Sequence, residues 1–255
     1  MNLDENNGSI SSTINNKIAT LTFGHPLGNS FPGSLLQKFT SEINRLSENN
    51  DVTVIVLKSE GNGPFCGGAS FQELLNIETF EDGKQFFSGF ANVINAMRKC
   101  TKLIIANVQG KAVGGGVGLV AACDFAFATE SASIKLSELT IGIGPFVIEP
   151  VVTKKIGKTA LTELSLMAKD WKDATWAKEK GLYNFVFNDI VLLEKNLQQF
   201  CEELINYNPE ALTEMKKVFW ENTSHWDDLL IERAAISGKL VLSDFTKKAL
   251  AGFRK

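Results

Sequence analysis

The stretch GKAVGGGVGLVAACD, residues 110–124, places three consecutive glycines directly before an apolar segment. Each glycine inside an ordered element costs roughly 0.5 to 1 kcal/mol relative to alanine. Three in a row are therefore expected where another group approaches the backbone too closely for a side chain. The strand-like run TKLIIANVQG precedes them. The order predicts a strand, a glycine-lined turn and then a helix.

Upstream runs predict the same kind of unit. KIATLTF alternates apolar and polar residues, as a half-buried strand does, and VTVIVLKS is a continuous β-branched run typical of a strand covered on both faces. Between them, helical spacing predicts a helix from about Ser34. This order indicates an α/β fold, and a second glycine-rich loop, EGNGPFCGGAS, follows the second strand. Ligands of open α/β sheets bind beyond the carboxyl ends of strands, so the two loops are expected to flank one site.

The chain becomes helical after about Lys158. We expect a flexible N-terminus over 1–12, a core over 13–190 and a C-terminal helical region over 191–255. The final helix is predicted to carry a stripe at spacings of three and four, consisting of Trp226, Leu229, Leu230, Arg233, Ile236, Ser237, Leu240, Val241, Phe245 and Ala249. This stripe packs either on the chain's own core or on a neighbouring subunit.

Composition excludes several classes of protein. A net charge of -3 gives no electrostatic footprint for nucleic acid. No apolar run reaches the ~18 residues of a membrane span, and the start of the chain lacks the pattern of an export signal. The 4 cysteines are widely spaced without CxxC pairs, which argues against disulfides and a metal site. We therefore expect a cytoplasmic protein that contacts neither membrane nor nucleic acid.

The residues alone leave three interpretations of the glycine run. GVGLVA fits the dinucleotide-binding pattern G-x-G-x-x-A, and Glu138 lies where a ribose-binding acid is sought. Close helix packing without chemistry is the second. The third is a helix start whose free N–H groups hold negative charge on a ligand oxygen, with FCGGAS supplying a second glycine-lined backbone.

Three segments together carry a family resemblance: GPFCGGASFQEL, NVQGKAVGGGVGLVAACDFAFATESASIKLSEL and IGIGPFVIEPVVTKKIG. Through them the chain resembles the crotonase (enoyl-CoA hydratase/isomerase) superfamily from about residue 17 to 254. The resemblance implies an α/β fold with a crotonase ββα-spiral core and a C-terminal helical region. It also implies a homotrimer or hexamer, an acyl-CoA thioester substrate and no cofactor, because coenzyme A is part of the substrate.

Carried over position by position, the resemblance implies roles for several residues. The backbone N–H groups of Ala69 and Gly115 would form an oxyanion hole for the thioester oxygen, next to Gly68 and Gly114 in the substrate pocket. Glu138 matches the second of the two glutamates of many family hydratases and would be the catalytic acid and base.

Gly118 replaces the first of those glutamates. It is expected to leave volume in the substrate pocket for a branched acyl group or a water molecule.

GGGVGLVAACD followed by KLSELTIGIGPFVIEPVVTKKIG resembles the branch that hydrates 3-methylglutaconyl-CoA to 3-hydroxy-3-methylglutaryl-CoA in leucine degradation, in which a glycine also stands at the position of the first glutamate. Because one glutamate is missing, isomerisation or decarboxylation by Glu138 alone is also open. Two alternatives lie outside this chemistry: a non-catalytic acyl-CoA-binding scaffold and a dinucleotide-dependent oxidoreductase. The distal carboxylate of that substrate needs a cation, for which the candidates are Lys84, Arg98, Lys111, Lys135 and His225.

Two further assignments concern coenzyme A and a helix start. Lys247, Lys248 and His25 are candidates for binding coenzyme A. Ser70, which stands where the family has an aspartate, is predicted to cap the following helix.

Overall fold

The computed structural model describes residues 8–252. Its strands are β1 Ser9–Asn15, β2 Ile18–Gly24, β3 Val54–Ser59, β4 Leu103–Val108, β5 Ala112–Val113, β6 Phe125–Thr129, β7 Ile134–Lys135 and β8 Phe185–Phe187. A six-stranded sheet has the order β1-β2-β3-β4-β6-β8, in which only β1 runs antiparallel to its neighbour. Strands β5 and β7 form a separate parallel pair.

Ten α-helices accompany these strands in the described residues. They are α1 Gly33–Glu48, α2 Phe71–Leu75, α3 Phe80–Lys99, α4 Gly115–Ala122, α5 Glu149–Leu166, α6 Ala174–Glu179, α7 Ile190–Leu204, α8 Pro209–Phe219, α9 Trp226–Leu240 and α10 Asp244–Ala251. A short 3₁₀ helix spans Glu138–Ile141. None of the helices in this part of the chain is long and apolar enough to cross a membrane.

The central parallel strands β3 and β4 are buried on both faces, as the β-branched run of β3 predicts. In β3, Ile55 and Leu57 join the main core, while Val54 and Val56 face the opposite side and pack in the cluster beneath α7. This alternation follows from the period-2 geometry of a strand. The predicted α/β fold with a C-terminal helical region is confirmed.

Two expectations about the ends of the chain are wrong. Residues 9–12, expected to be flexible, belong to β1, which pairs along its whole length with β2; residues 1–7 lie outside the described part. The predicted single final helix is two helices, because the chain turns after Leu240 and the Ser243 side chain accepts a hydrogen bond from the Thr246 N–H to start α10. Helix α9 packs on α3 of the same chain, and Gly83 and Gly238 meet at that contact.

A buried ion pair fixes the C-terminal helices to the sheet. Lys216 Nζ of α8 lies 2.9 Å from Asp124 Oδ2, and both side chains are 2% exposed. Asp124 also accepts hydrogen bonds from the Ile104 N–H and the Trp220 indole N–H, each at 2.7 Å. These contacts tie the turn between α4 and β6 to α8, so the helical region shares one core with the sheet.

Candidate active site

The two glycine-rich loops lie side by side, as the strand order predicts. Cys66 of the first loop bridges Ala112 in parallel fashion, and the Val113 N–H donates to the Cys66 carbonyl at 2.9 Å. Gly68 has a φ of +87°, and a Cβ on it would lie 2.8 Å from the Val113 carbonyl oxygen. No side chain fits there without moving the backbone of the second loop.

The second loop brings the start of α4 against the side chains of Glu138 and Phe90. Gly114 has a φ of +53°, and a Cβ on it would lie 2.8 Å from Glu138 Oε1. A Cβ on Gly115 would lie 2.3 Å from Phe90 Cε1. The expectation that another group approaches this backbone is therefore confirmed: a carboxylate and an aromatic ring occupy the space that side chains would need.

Two backbone N–H groups face this region without partners. Within residues 8–252, neither the Ala69 nor the Gly115 N–H donates a hydrogen bond. The loops converge here, because a Cβ on Gly68 would lie 3.5 Å from the Gly115 nitrogen. Gly115 is also the first residue of α4, where free N–H groups and the helix dipole favour negative charge.

Both loops open onto a cavity of about 350 Å³. Its polar side chains in the described residues are Ser137, Glu138, Thr140 and Ser237, and Glu138 is the one ionisable group among them. The rest of the lining is glycine, Ala69 and the apolar side chains of Phe71, Leu74, Phe87, Phe90, Val113, Ile141, Ile143, Pro145, Phe146, Val147 and Ile148. Such a cavity, with few polar groups and one carboxylate, is typical of a small-molecule site.

Glu138 reaches the cavity because β7 leads into the short 3₁₀ helix. The Gly114 N–H donates to the Lys135 carbonyl at 2.9 Å and so holds β7 beside the start of α4. The residue is partly exposed as a whole, but its Oε2 is buried and has no hydrogen-bond partner among the described residues. Burial in these apolar surroundings raises the pKa of Glu138 to about 7, which suits a group that both takes and gives a proton near neutral pH.

The expected free volume at Gly118 is not present. Gly118 does not line the cavity, and a Cβ on it would lie 2.4 Å from Ile148 Cγ2. The methyl group of Ile148 fills the space that a larger side chain would take. The glycine at this position is therefore a close packing contact between α4 and the start of α5.

The expected cation for a distal carboxylate is not among the predicted candidates. None of Lys84, Arg98, Lys111, Lys135 and His225 lines the cavity. Arg98 is buried in an ion pair with Asp227, and the Nζ atoms of Lys111 and Lys135 lie over the Trp171 ring, 4.8 and 5.5 Å from its centroid. No Lys, Arg or His side chain of the described residues lines the cavity at all.

The residues predicted to bind coenzyme A lie outside this cavity. Lys247 and Lys248 are exposed on α10, and Lys247 lines a neighbouring cleft that shares Leu74 with the cavity. His25 is half-buried in its loop, where its Nδ1 accepts from the Leu27 N–H at 3.2 Å. Their role toward coenzyme A stays a prediction.

The structure does not support the dinucleotide interpretation. Gly116 and Gly118 lie inside α4, buried against Cys66 and Ile148. Glu138 opens a 3₁₀ helix, and its carboxylate lies directly against Gly114. By contrast, the predicted cap is confirmed: Ser70 Oγ accepts a hydrogen bond from the Glu73 N–H at 3.3 Å.

Sequence reasoning missed Phe90, Ile148 and Ser237 at this site. Phe90 and Ile148 carry no local signal, because apolar residues at helical spacing predict only a core. Ser237 does carry a local signal, because it is a polar residue within the apolar stripe of the final helices. In the structure it is 1% exposed and lines the cavity.

The fold and site define a mixed α/β protein whose glycine-rich loops present backbone donors and one carboxylate to an apolar cavity. The sequence profile of the Enoyl-CoA hydratase/isomerase family matches residues 13–250, and the chain belongs to this family. The solved enoyl-CoA hydratase of Bacillus halodurans superposes with a TM-score of 0.89, covering 95% of this chain and 99% of its own at 18% identity. This likeness establishes the crotonase fold.

Two curated relatives differ in the reaction that their names state. The peroxisomal Delta(3,5)-Delta(2,4)-dienoyl-CoA isomerase of Arabidopsis thaliana is 28% identical over 196 residues, 71% of this chain and 69% of its own. The mitochondrial methylglutaconyl-CoA hydratase of Mus musculus is 33% identical over 117 residues, 46% of this chain and 37% of its own. Membership of the family supports acyl-CoA hydration or isomerisation.

Proposed function

We propose that this protein hydrates an enoyl-CoA thioester, with Glu138 as its only acid and base. The observation that carries the proposal concerns the described residues 8–252: they place a single carboxylate, with a pKa of about 7 and an unpartnered Oε2, in a cavity that two free backbone N–H groups also line. In this scheme the Ala69 and Gly115 N–H groups bind the thioester oxygen. They stabilise the negative charge that develops on that oxygen in the transition state.

One carboxylate suffices for both proton transfers of the hydration. Glu138 takes a proton from water as the water oxygen bonds to C3, and the electrons of the C2–C3 double bond move toward the thioester oxygen. The same group, now a carboxylic acid, returns a proton to C2 as the enolate collapses. One water molecule is added, and Glu138 returns to its ionised form.

For the acyl group we propose 3-methylglutaconyl-CoA, which would give 3-hydroxy-3-methylglutaryl-CoA, the reaction of leucine degradation. The support is the sequence similarity to the mouse hydratase over 46% of the chain. Gly118 gives no support to this acyl group, because Ile148 occupies the space beside it.

Isomerisation is the second candidate, and the absence of a second ionisable side chain in the described cavity lining favours it. A proton shuttle that takes a proton from one carbon and returns it to another needs one carboxylate and no bound water. The similarity to the Arabidopsis isomerase agrees with this chemistry.

The test offers purified protein 3-methylglutaconyl-CoA, crotonyl-CoA and a 3-enoyl-CoA in parallel, with absorbance of the conjugated thioester and product mass as readouts. Gain of one water on the branched substrate, lost in Glu138→Gln but kept in the exposed control Glu130→Gln, is the expected result. A product of unchanged mass means isomerisation. Loss of carbon dioxide means decarboxylation, and binding without turnover of any substrate means a non-catalytic scaffold.

A further inference from the structure

Helix α9 carries two polar residues near the cavity, Ser237 in its lining and Arg233 one turn before it. Ser237 lines the cavity, and its hydroxyl makes no hydrogen bond within residues 8–252. Arg233 precedes it by four residues, so the two side chains occupy the same face of the helix. Arg233 does not itself line the cavity.

The guanidinium of Arg233 has unused donors. Its Nε is buried and has no hydrogen-bond partner among the described residues. Its Nη2 lies 3.9 Å from Glu149 Oε2, which is beyond hydrogen-bond distance. Glu149 is the ion-pair partner of both Lys158 and Arg233: its Oε1 accepts from Lys158 Nζ at 2.6 Å and from Thr153 Oγ1 at 2.9 Å, while its Oε2 faces Arg233.

This arrangement differs from that of Arg98, whose side chain is buried, whereas the Arg233 side chain is 36% exposed and only its Nε is buried. Arg98 donates to Asp227 through Nη2 and to Asn95 Oδ1 through Nε at 2.8 Å. A buried donor without an acceptor costs free energy, and a ligand that supplies the acceptor recovers it. The Arg98 guanidinium thus has hydrogen-bond acceptors on both Nη2 and Nε, whereas Nε of Arg233 has none among the described residues.

Arg233 and Glu138 lie against different elements of the fold. The acid it approaches is Glu149, the first residue of α5, which directly follows the lining residues Val147 and Ile148. Glu138 instead lies against Gly114 at the start of α4. Arg233 thus stands where α9 meets the start of α5, next to the cavity-lining residues Ser237 and Ile148 of those two elements.

We propose that Arg233, together with the Ser237 hydroxyl, binds a carboxylate at the far end of the acyl group. The proposal rests on the proposed function, because it assumes that the thioester lies between Glu138 and the glycine loops. A guanidinium binds a carboxylate through two parallel hydrogen bonds, and a rotation of the Arg233 side chain toward Ser237 would present them. The site selects acyl-CoA esters of dicarboxylic acids over those with a plain alkyl end.

The test measures binding of two saturated, unreactive ligands, glutaryl-CoA and butyryl-CoA, by titration calorimetry. Wild-type protein is expected to prefer glutaryl-CoA, and Arg233→Met is expected to lose about 10- to 100-fold in affinity for it. Butyryl-CoA binding should change less than about twofold, and Arg233→Lys should recover part of the loss. Lys239→Met removes an exposed charge from the same helix and is the matched control.

The results separate this inference from the proposed function. Equal affinity of wild-type protein for the two ligands, or an equal loss of both in Arg233→Met, overturns the role of Arg233. A preference for glutaryl-CoA that disappears in Arg233→Met supports that role even where no enoyl-CoA is hydrated, in which case only the proposed function fails.

Discussion

At the scale of single residues, the site depends on a carboxylate that the fold holds in unfavourable surroundings. Glu138 is surrounded by apolar side chains and glycine, and its Oε2 has no partner among the described residues. Burial raises its pKa from 4.5 to about 7. The charged form therefore costs stability in the folded protein that it does not cost in the unfolded chain.

This cost predicts that Glu138→Gln stabilises the fold at high pH. The folded protein holds a proton that the unfolded chain releases between pH 4.5 and about 7, so wild-type stability falls over that window and stays low above it. At about pH 8 the variant should gain up to about 3 kcal/mol in the free energy of unfolding, and most of the gain should vanish near pH 5.

Urea unfolding of both proteins at the two pH values measures the difference. Glu130→Gln, which removes an exposed glutamate, should show no such pH dependence. A Glu138→Gln variant that is less stable than wild type at pH 8 would contradict the claim that burial of the ionised Glu138 carboxylate destabilises the fold.

At the scale of elements, the cavity wall depends on how closely α4 and the start of α5 approach each other. Gly118 and Ile148 form that contact, which leaves no room for a side chain at position 118 while Ile148 keeps its place. Helices α3 and α9 approach through Gly83 and Gly238 in the same way, which brings Ser237 to the cavity.

The contact predicts that Gly118→Ala destabilises the protein by about 1 to 3 kcal/mol, although alanine is the better helix former. The added Cβ would lie 2.4 Å from Ile148 Cγ2, so the buried, β-branched Ile148 side chain would have to shift. In an Ile148→Ala background the same substitution should cost much less, as a double-mutant cycle by chemical denaturation would measure. Gly63→Ala, where a Cβ meets nothing within 4 Å, is the control; equal costs at both glycines would refute the packing argument.

Much of the element pattern could be predicted from the sequence, because it is local. Period-2 and β-branched runs predict β2, β3 and β4, and the glycines before Val117 predict the start of α4. Pairing of β1 could not be predicted, since its register depends on β2. The break after Leu240 was missed because both helices continue one apolar stripe.

At the scale of the whole molecule, the candidate site is a product of topology. Parallel strands bring the loops after β3 and β4 to one edge, and the short β5-β7 pair adds Glu138. Resemblance to a family placed Glu138, Ala69 and Gly115 together, and the structure brings all three to one cavity. The resemblance could not predict the contacts of Ile148 or Arg233, because these contacts depend on how α5 and α9 pack. The homotrimer or hexamer stays a prediction.

The most direct test of the central claim, that one carboxylate performs the proton transfers, is the pH dependence of kcat/KM on the substrate that is hydrated. Because the ionised form must take a proton from water, activity should rise with pH through one apparent pKa near 7 and then level off. A bell-shaped profile would require a second ionisable group, and a flat profile between about pH 5.5 and 8.5 would show that Glu138 does not carry the proton.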